Sequence, residues 1–230
     1  MSVLVVIAHP DDEVLGCGAT CALLAAAGTS VRACILSGGV EARGARPDNA
    51  DLIDDMRRAQ KMLGFGAAIV GGFPNIRMNV VPHIELVQFI EAAIVETGAH
   101  TIFTHHPHDL NDDHLHVSRA CQAAARLSQR RAGVAPLRRL LFMEILSSTD
   151  WAFPAGSDGF QPDTFFEVAD SIDLKCQALD AYRGVKRPFP HPRSDEAIRG
   201  LAACRGAQSG LRHAEAFQSA FTSLRVADFA

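Results

Sequence analysis

The chain has 230 residues, 48% of them hydrophobic and 21% charged, which is enough apolar content to bury the core of one large domain. Its formal net charge of −4, with no block of like charge, offers no field for nucleic acid or an anionic membrane surface. The N-terminus lacks a basic segment and its apolar run is only six residues long before His9, which argues against a signal peptide or membrane span and for the cytoplasm. The six cysteines form no C-x-x-C pair and lie in apolar stretches, so they read as small core residues in a reducing compartment.

Residues 3–8, Val-Leu-Val-Val-Ile-Ala, form a short continuous apolar run of the kind that fills a central strand. His9-Pro10-Asp11-Asp12-Glu13 follow at once, and acids collect where a helix begins because its free N–H groups and dipole favour negative charge. The spacing predicts a helix from Glu13 to Ala27 that stops at Gly28. A strand over 31–36 and a polar loop over 40–50 come next. A helix over 51–63 then ends at Gly64, and a short strand covers 67–70. Pro82 opens the following helix at its first turn, with Ile84, Val87, Ile90, Ala93 and Ile94 as the buried stripe.

A fourth strand covers 101–104. Behind it, residues 105–116 hold five of the ten histidines together with three aspartates. A helix over 117–127 and a strand over 139–145 complete an alternating pattern. That pattern predicts an α/β fold: a Rossmann-like, mostly parallel sheet with helices on both faces, in the order 3-2-1-4-5. Strands 1 and 4 are then neighbours at the switch point, and both the acidic turn and the histidine-rich loop emerge there. Farther on, the reading predicts a loop over 148–161, a strand over 165–168 and a helix over 174–182 capped by Ser171 or Asp173. A stiff proline-rich stretch over 186–194 leads into a helix started by Ser194 and running through Cys204. No linker divides the chain, so 1–230 reads as a single domain, with a core over 1–145 and a C-terminal elaboration over 146–230.

Zinc takes histidine nitrogens and carboxylate oxygens at about 2.0–2.2 Å, and catalytic sites use three protein ligands. His9 and Asp12, three apart at a helix start, share a face; His114, opening the helix after strand 4, is the third ligand. Asp11, one step out of phase, is then the general base, finishing the deprotonation of a metal-activated water in amide or ester hydrolysis. The plainer alternative is a capping turn at Asp12 and a solvated histidine loop.

Ala8-His9-Pro10-Asp11-Asp12-Glu13 after such a strand resembles the signature of the LmbE-like or PIG-L family of zinc-dependent N-acetylglucosaminyl deacetylases, and Asn111-Asp112-Asp113-His114 resembles its second motif. The resemblance implies a Rossmann-like fold, one zinc ion and deacetylation of an amino sugar or its conjugate. It matches His9, Asp12 and His114 to the zinc ligands, Asp11 to the base, and Asp113 to an acid that orients a neighbouring catalytic histidine. The chain departs from the family at Asn111, where members carry that histidine; His105, His106, His108 and His116 are alternative proton donors, as is Asp11 acting twice. It departs again in the helix over 51–63, where an early substrate-binding arginine is missing and Arg43, Arg46 or Arg57 would replace it. His191-Pro192-Arg193-Ser194, Arg205-Gly206 and Ala214-Glu215-Ala216-Phe217 resemble members from bacterial surface-glycan or sugar-nucleotide synthesis. There Arg187, Arg193 and Arg205 are either solvated flanks or clamps for a phosphate or carboxylate.

The expectation is thus a metal-dependent N-deacetylase acting on a free or nucleotide-linked amino sugar, with substrate contacts at Arg43, Asn111, His116 and Arg193. The ion is Zn²⁺, with Fe²⁺ also accepted by two histidines and a carboxylate. The partner is a small molecule, without nucleic acid or membrane insertion, and a homo-oligomer is compatible with the sequence. The rival on the same fold is a metal-dependent hydratase of an unsaturated dicarboxylic acid. A nucleotide-binding module lacks its G-x-G-x-x-G; Gly16-Cys17-Gly18 lies inside the first helix.

Overall fold

The computed structural model describes residues 1–39, 49–153 and 158–226. Strand β1 (Ser2–Ile7) pairs in parallel with β2 (Ser30–Ile35) on one side and β4 (Thr101–His105) on the other. β2 carries the two-residue β3 (Ile69–Val70), and β4 pairs in parallel with β5 (Arg139–Met143). The five strands therefore lie in the expected order. Two antiparallel strands extend the sheet past β5, giving β3-β2-β1-β4-β5-β7-β6, with β6 at Thr164–Glu167 and β7 at Ala214–Thr222.

A parallel strand covered on both faces needs apolar residues at every position, which is why β1 reads as an unbroken run. Val3, Val5 and Ile7 face one core, filled by helices α1 (Asp12–Ala26), α2 (Asn49–Met62), α6 (Ile172–Asp180) and α7 (Asp195–Ser209). Leu4, Val6 and Ala8 face the other, filled by α3 (His83–Thr97) and α4 (Asp112–Ala124). A short α5 (Leu127–Arg130) follows α4.

Several boundaries differ from the sequence reading, each for a local reason. α2 starts at Asn49, inside the segment read as loop; residues 40–48 of that loop lie outside the described residues. Ile84 is 57% exposed, and Leu86, at 1%, takes its place in the buried stripe of α3. Pro82 stands just before α3 rather than in its first turn. α4 begins at Asp112, five residues before Val117, because the Asn111 side chain accepts a hydrogen bond from the Asp113 N–H at 3.0 Å and caps it. Ser194 caps α7 by accepting from the Ala197 N–H at 3.1 Å. Ser171 precedes α6 but does not cap it; its hydroxyl donates to the Ala19 carbonyl at 2.9 Å.

β7 is the element that sequence patterning does not reveal. Ala-Glu-Ala-Phe-Gln-Ser-Ala-Phe-Thr has little β-branched character, and its inward acid, Glu215, serves α1. That helix breaks at Cys17 (φ −146°, ψ 18°), and Glu215 accepts from the freed N–H groups of Ala19 (3.1 Å) and Thr20 (2.7 Å). Lys175 donates to the Leu15 carbonyl at 2.8 Å and to Glu215 at 2.7 Å, so donors and acceptors at the break are both satisfied. Gly16 completes the joint, since a Cβ there would lie 2.5 Å from Met143 Sδ.

Candidate active site

The carboxyl ends of β1, β4 and β5 converge on a cavity of about 910 Å³, where the switch-point rule places ligands. β1 delivers His9 and then turns sharply through Asp11, whose φ of 102° is left-handed and strained for a residue with a Cβ. Glu13 stabilises that turn by accepting from the Asp11 N–H at 3.0 Å. Glu13 is itself fully buried, taking hydrogen bonds from Tyr182 Oη (2.5 Å) and Gln60 Nε2 (3.3 Å). Burial pushes its carboxyl up to about 7 against the pull of those donors.

The ligand-type atoms of His9, Asp12 and His114 all lie within 4.8 Å of one another, and all three residues are buried. His9 Nδ1 is 3.5 Å and His114 Nε2 is 3.3 Å from Asp12 Oδ2. The opposite nitrogen of each ring meets its own carboxylate: His9 Nε2 is 2.9 Å from Asp113 Oδ2, and His114 Nδ1 is 3.2 Å from Asp109 Oδ2. Carboxylates behind ligating imidazoles fix tautomer and ring direction at metal sites. Asp113 is held by the N–H groups of Ile76 (2.6 Å) and Met78 (2.9 Å), and Asp109 by the hydroxyls of Ser148 and Thr149. His105 stacks on His114 with ring centroids 3.7 Å apart and accepts from the Ala8 N–H at 2.8 Å.

The electrostatics call for a cation. Burial opposes charge on His114, but Asp12 and Asp109 outweigh it and raise its pKa; burial would raise Asp12, yet His114 and His9 hold it well below the usual carboxylate range. His114 Nε2 is buried and makes no hydrogen bond among the described residues. Two imidazoles and a carboxylate with an orphaned nitrogen between them fit a zinc-type ion. His105, by contrast, is pushed down to about 3 by burial and by His114, so it stays neutral.

The other expected site residues separate. Asp11 lines the cavity, with Arg193 Nη1 3.6 Å from its Oδ2. Asn111 lines it too, although its side-chain oxygen is engaged as the α4 cap. His116 does not line it and faces Asp112 at 3.4 Å along the helix. Asp113 orients His9 rather than a separate catalytic histidine, because Asn111 leaves none three residues before His114. His105, His106 and His108 also stay out of the lining; His106 lies 3.1 Å from Gln218 instead. Arg57 pairs with Asp54, and Arg205 with Glu144, both outside the cavity. Arg187 and Lys186 line it, the latter neutralised by Asp180 (2.7 Å) and Asp195 (2.8 Å). Arg43 and Arg46 fall outside the described residues.

Sequence reasoning missed Asp109, Ser147, Ser148 and Trp151. Asp109 alone had a local signal, an Asx turn in which its Oδ1 accepts from the Asn111 N–H at 2.9 Å.

Fold and site together define a Rossmann-like α/β protein with a His-Asp-His cluster of metal-binding type at its switch point. The PIG-L family, described as GlcNAc-PI de-N-acetylase, matches residues 4–125, and the chain belongs to it. The uncharacterized deacetylase YaiS of Escherichia coli (strain K12) is 31% identical over 132 residues, spanning 54% of this chain and 68% of that protein. Among solved structures, N,N′-diacetylchitobiose deacetylase from Pyrococcus horikoshii superposes with a TM-score of 0.78 at 17% identity, covering 95% of this chain and 83% of that one. GalB, the 4-carboxy-2-hydroxymuconate hydratase from Pseudomonas putida KT2440, gives 0.72 at 22% identity, covering 97% and 98%. These two share the fold. Family and sequence relative place the chain with deacetylases of the PIG-L and LmbE type.

Proposed function

We propose that the protein is a zinc-dependent hydrolase that removes the N-acetyl group from an amino sugar or a sugar conjugate. The observation that carries this reading is the pairing of the His9-Asp12-His114 cluster, with its orphaned His114 Nε2, and the carboxylate of Asp11, whose backbone is strained, in one cavity. A zinc ion bound there supplies a water with its pKa lowered toward ~7 and a Lewis acid for the amide carbonyl. Fe²⁺ would suit the same donors.

Asp11 takes a proton from the attacking water as its oxygen adds to the amide carbon. The same carboxyl returns that proton to the nitrogen as the C–N bond breaks, leaving acetate and the amine. Asp11 serves twice because the lining histidines among the described residues are the two ligands. Asp113 and Asp109 keep those imidazoles in the tautomers that present His9 Nδ1 and His114 Nε2. A cavity of about 910 Å³ is at the large end of small-molecule sites, ~300–1,000 Å³, and suits a conjugate better than a lone monosaccharide. Trp151 and Arg187 on its walls suit a sugar ring and an anionic group such as a sugar nucleotide's phosphates.

The test is acetate release from a panel of N-acetylated sugars and sugar nucleotides by the zinc-loaded protein. Asp11→Ala should lower turnover by about 10²–10⁴-fold. Undiminished turnover would remove Asp11 as base. Hydration of an unsaturated dicarboxylic acid without acetate release would instead assign the chemistry of the hydratase.

A further inference from the structure

One cation on the cavity wall has a placement that the mechanism above leaves unused. Arg193 stands one residue before the cap of α7, with its side chain 22% exposed. Its Nε donates to Ser147 Oγ at 2.7 Å, and its Nη1 lies 3.6 Å from Asp11 Oδ2, beyond hydrogen-bond reach. Its remaining guanidinium donors meet no other acceptor among the described residues, and the side chain lines the cavity.

The anchor is built rather than incidental. Ser147 has a φ of 68°, left-handed for a residue with a Cβ, and the adjacent Ser148 donates to Asp109, the carboxylate behind His114. One short step after β5 thus holds both the guanidinium and the support of the His114 ring. On the facing wall Asp11 is left-handed as well, with a φ of 102°. Strain of this kind persists where the surrounding structure over-determines it, and it clusters at functional sites. Here two strained positions bring Arg193 and Asp11 together beside the His9-Asp12-His114 cluster.

Other polar groups of the wall are placed differently. Lys186 is bound between two aspartates, Asn111 caps α4, and Arg187 is exposed. Arg193 remains as the cation positioned beside the proposed base.

We infer that Arg193 is a catalytic residue that donates to the substrate's carbonyl oxygen and stabilises the negative charge that gathers there. The inference rests on the deacetylase reading. As the water oxygen bonds to the carbonyl carbon and Asp11 takes the proton, the C=O π pair moves onto oxygen, opposite the guanidinium. When the pair returns, the C–N bond breaks, its electrons leave with nitrogen, and nitrogen takes the proton from Asp11. A planar cation fixed in advance by Ser147 needs little reorganisation to meet that charge.

The experiment compares wild type with Arg193→Gln, Arg193→Lys and Arg193→Ala on the best N-acetyl substrate of the panel, with zinc content and Tm measured alongside. Arg193→Gln should lose about 10²-fold or more in kcat, as removal of an oxyanion donor does, with KM within threefold and zinc stoichiometry unchanged. Arg193→Lys should retain part of the activity, and added guanidinium ion should restore part of it to Arg193→Ala. Ser147→Ala, which frees the guanidinium without removing it, should lower kcat by a smaller factor and serves as the second probe if the arginine variants fail to fold. An unchanged kcat with a raised KM would make Arg193 a substrate clamp and overturn the inference alone. Loss of zinc or of the fold in Ser147→Ala and the arginine variants would overturn it in favour of a structural role. A wild type inert toward every N-acetyl substrate would sink this inference together with the reading beneath it.

Discussion

At the scale of single residues, the site depends on carboxylates doing unlike work within a few ångströms. Asp12 faces both imidazoles, whereas Asp11 turns into the cavity because its backbone is left-handed and Glu13 holds its N–H. Asp109 and Asp113 stand behind the rings. Removing charge from that outer pair should weaken the metal without abolishing it: Asp109→Asn and Asp113→Asn should each lower zinc affinity about 10–100-fold, read by competition with a chromogenic chelator. Affinity equal to wild type in both variants would detach these carboxylates from the metal. His9 and Asp12 were legible from their spacing at a helix start. Asp109 was not, because its role depends on hydroxyls of Ser148 and Thr149, which reach it from the end of β5.

Among the elements, α1 is the one whose shape the site requires. Its first turn carries Asp12 and Glu13, its break at Cys17 lets the remainder run over the sheet, and the break is satisfied by Glu215 from β7 and Lys175 from α6. The Lys175–Glu215 pair is buried on both sides, at 6% and 5% side-chain exposure. Removing one partner of such a pair leaves an uncompensated charge. Lys175→Met should therefore destabilise the fold by about 3–5 kcal/mol in urea denaturation. Adding Glu215→Gln to it should recover part of that loss, and a neutral single variant would show the pair to be dispensable. The helical periodicity of α2, α3 and α7 was readable locally; the break in α1 was not, because the groups that satisfy it come from β7 and α6, some 160 to 200 positions along the chain.

At the scale of the whole molecule, two cores hold the sheet from opposite faces, and the cavity opens at its carboxyl edge without contributing to either. Metal removal should therefore cost activity and some thermal stability but not the fold. Chelation is expected to leave the far-ultraviolet circular dichroism unchanged while lowering Tm. Zinc at 1,000 times its Kd should restore about 4 kcal/mol by mass action. His114→Ala should abolish that zinc-dependent shift in Tm. Loss of secondary structure on chelation would instead make the ion structural. Among the described residues no helix is long and apolar enough to cross a membrane.

The sequence by itself determined the α/β class, the order of the five parallel strands and the local geometry of His9 and Asp12. Those features are written in continuous apolar runs for the strands, in a 3.6-residue period for the helices, and in a switch point that follows from strand order. The tertiary structure alone decided which distant groups support and face the residues that the sequence had singled out. Asp109 behind His114, Arg193 anchored on Ser147 beside Asp11, and β7 between β5 and β6 are all pairings between distant segments. The withdrawal of His105 and His116 from the cavity has the same origin. A strand's register and a side chain's final partner depend on what the neighbouring segment presents, and that neighbour is chosen only when the sheet closes its two cores.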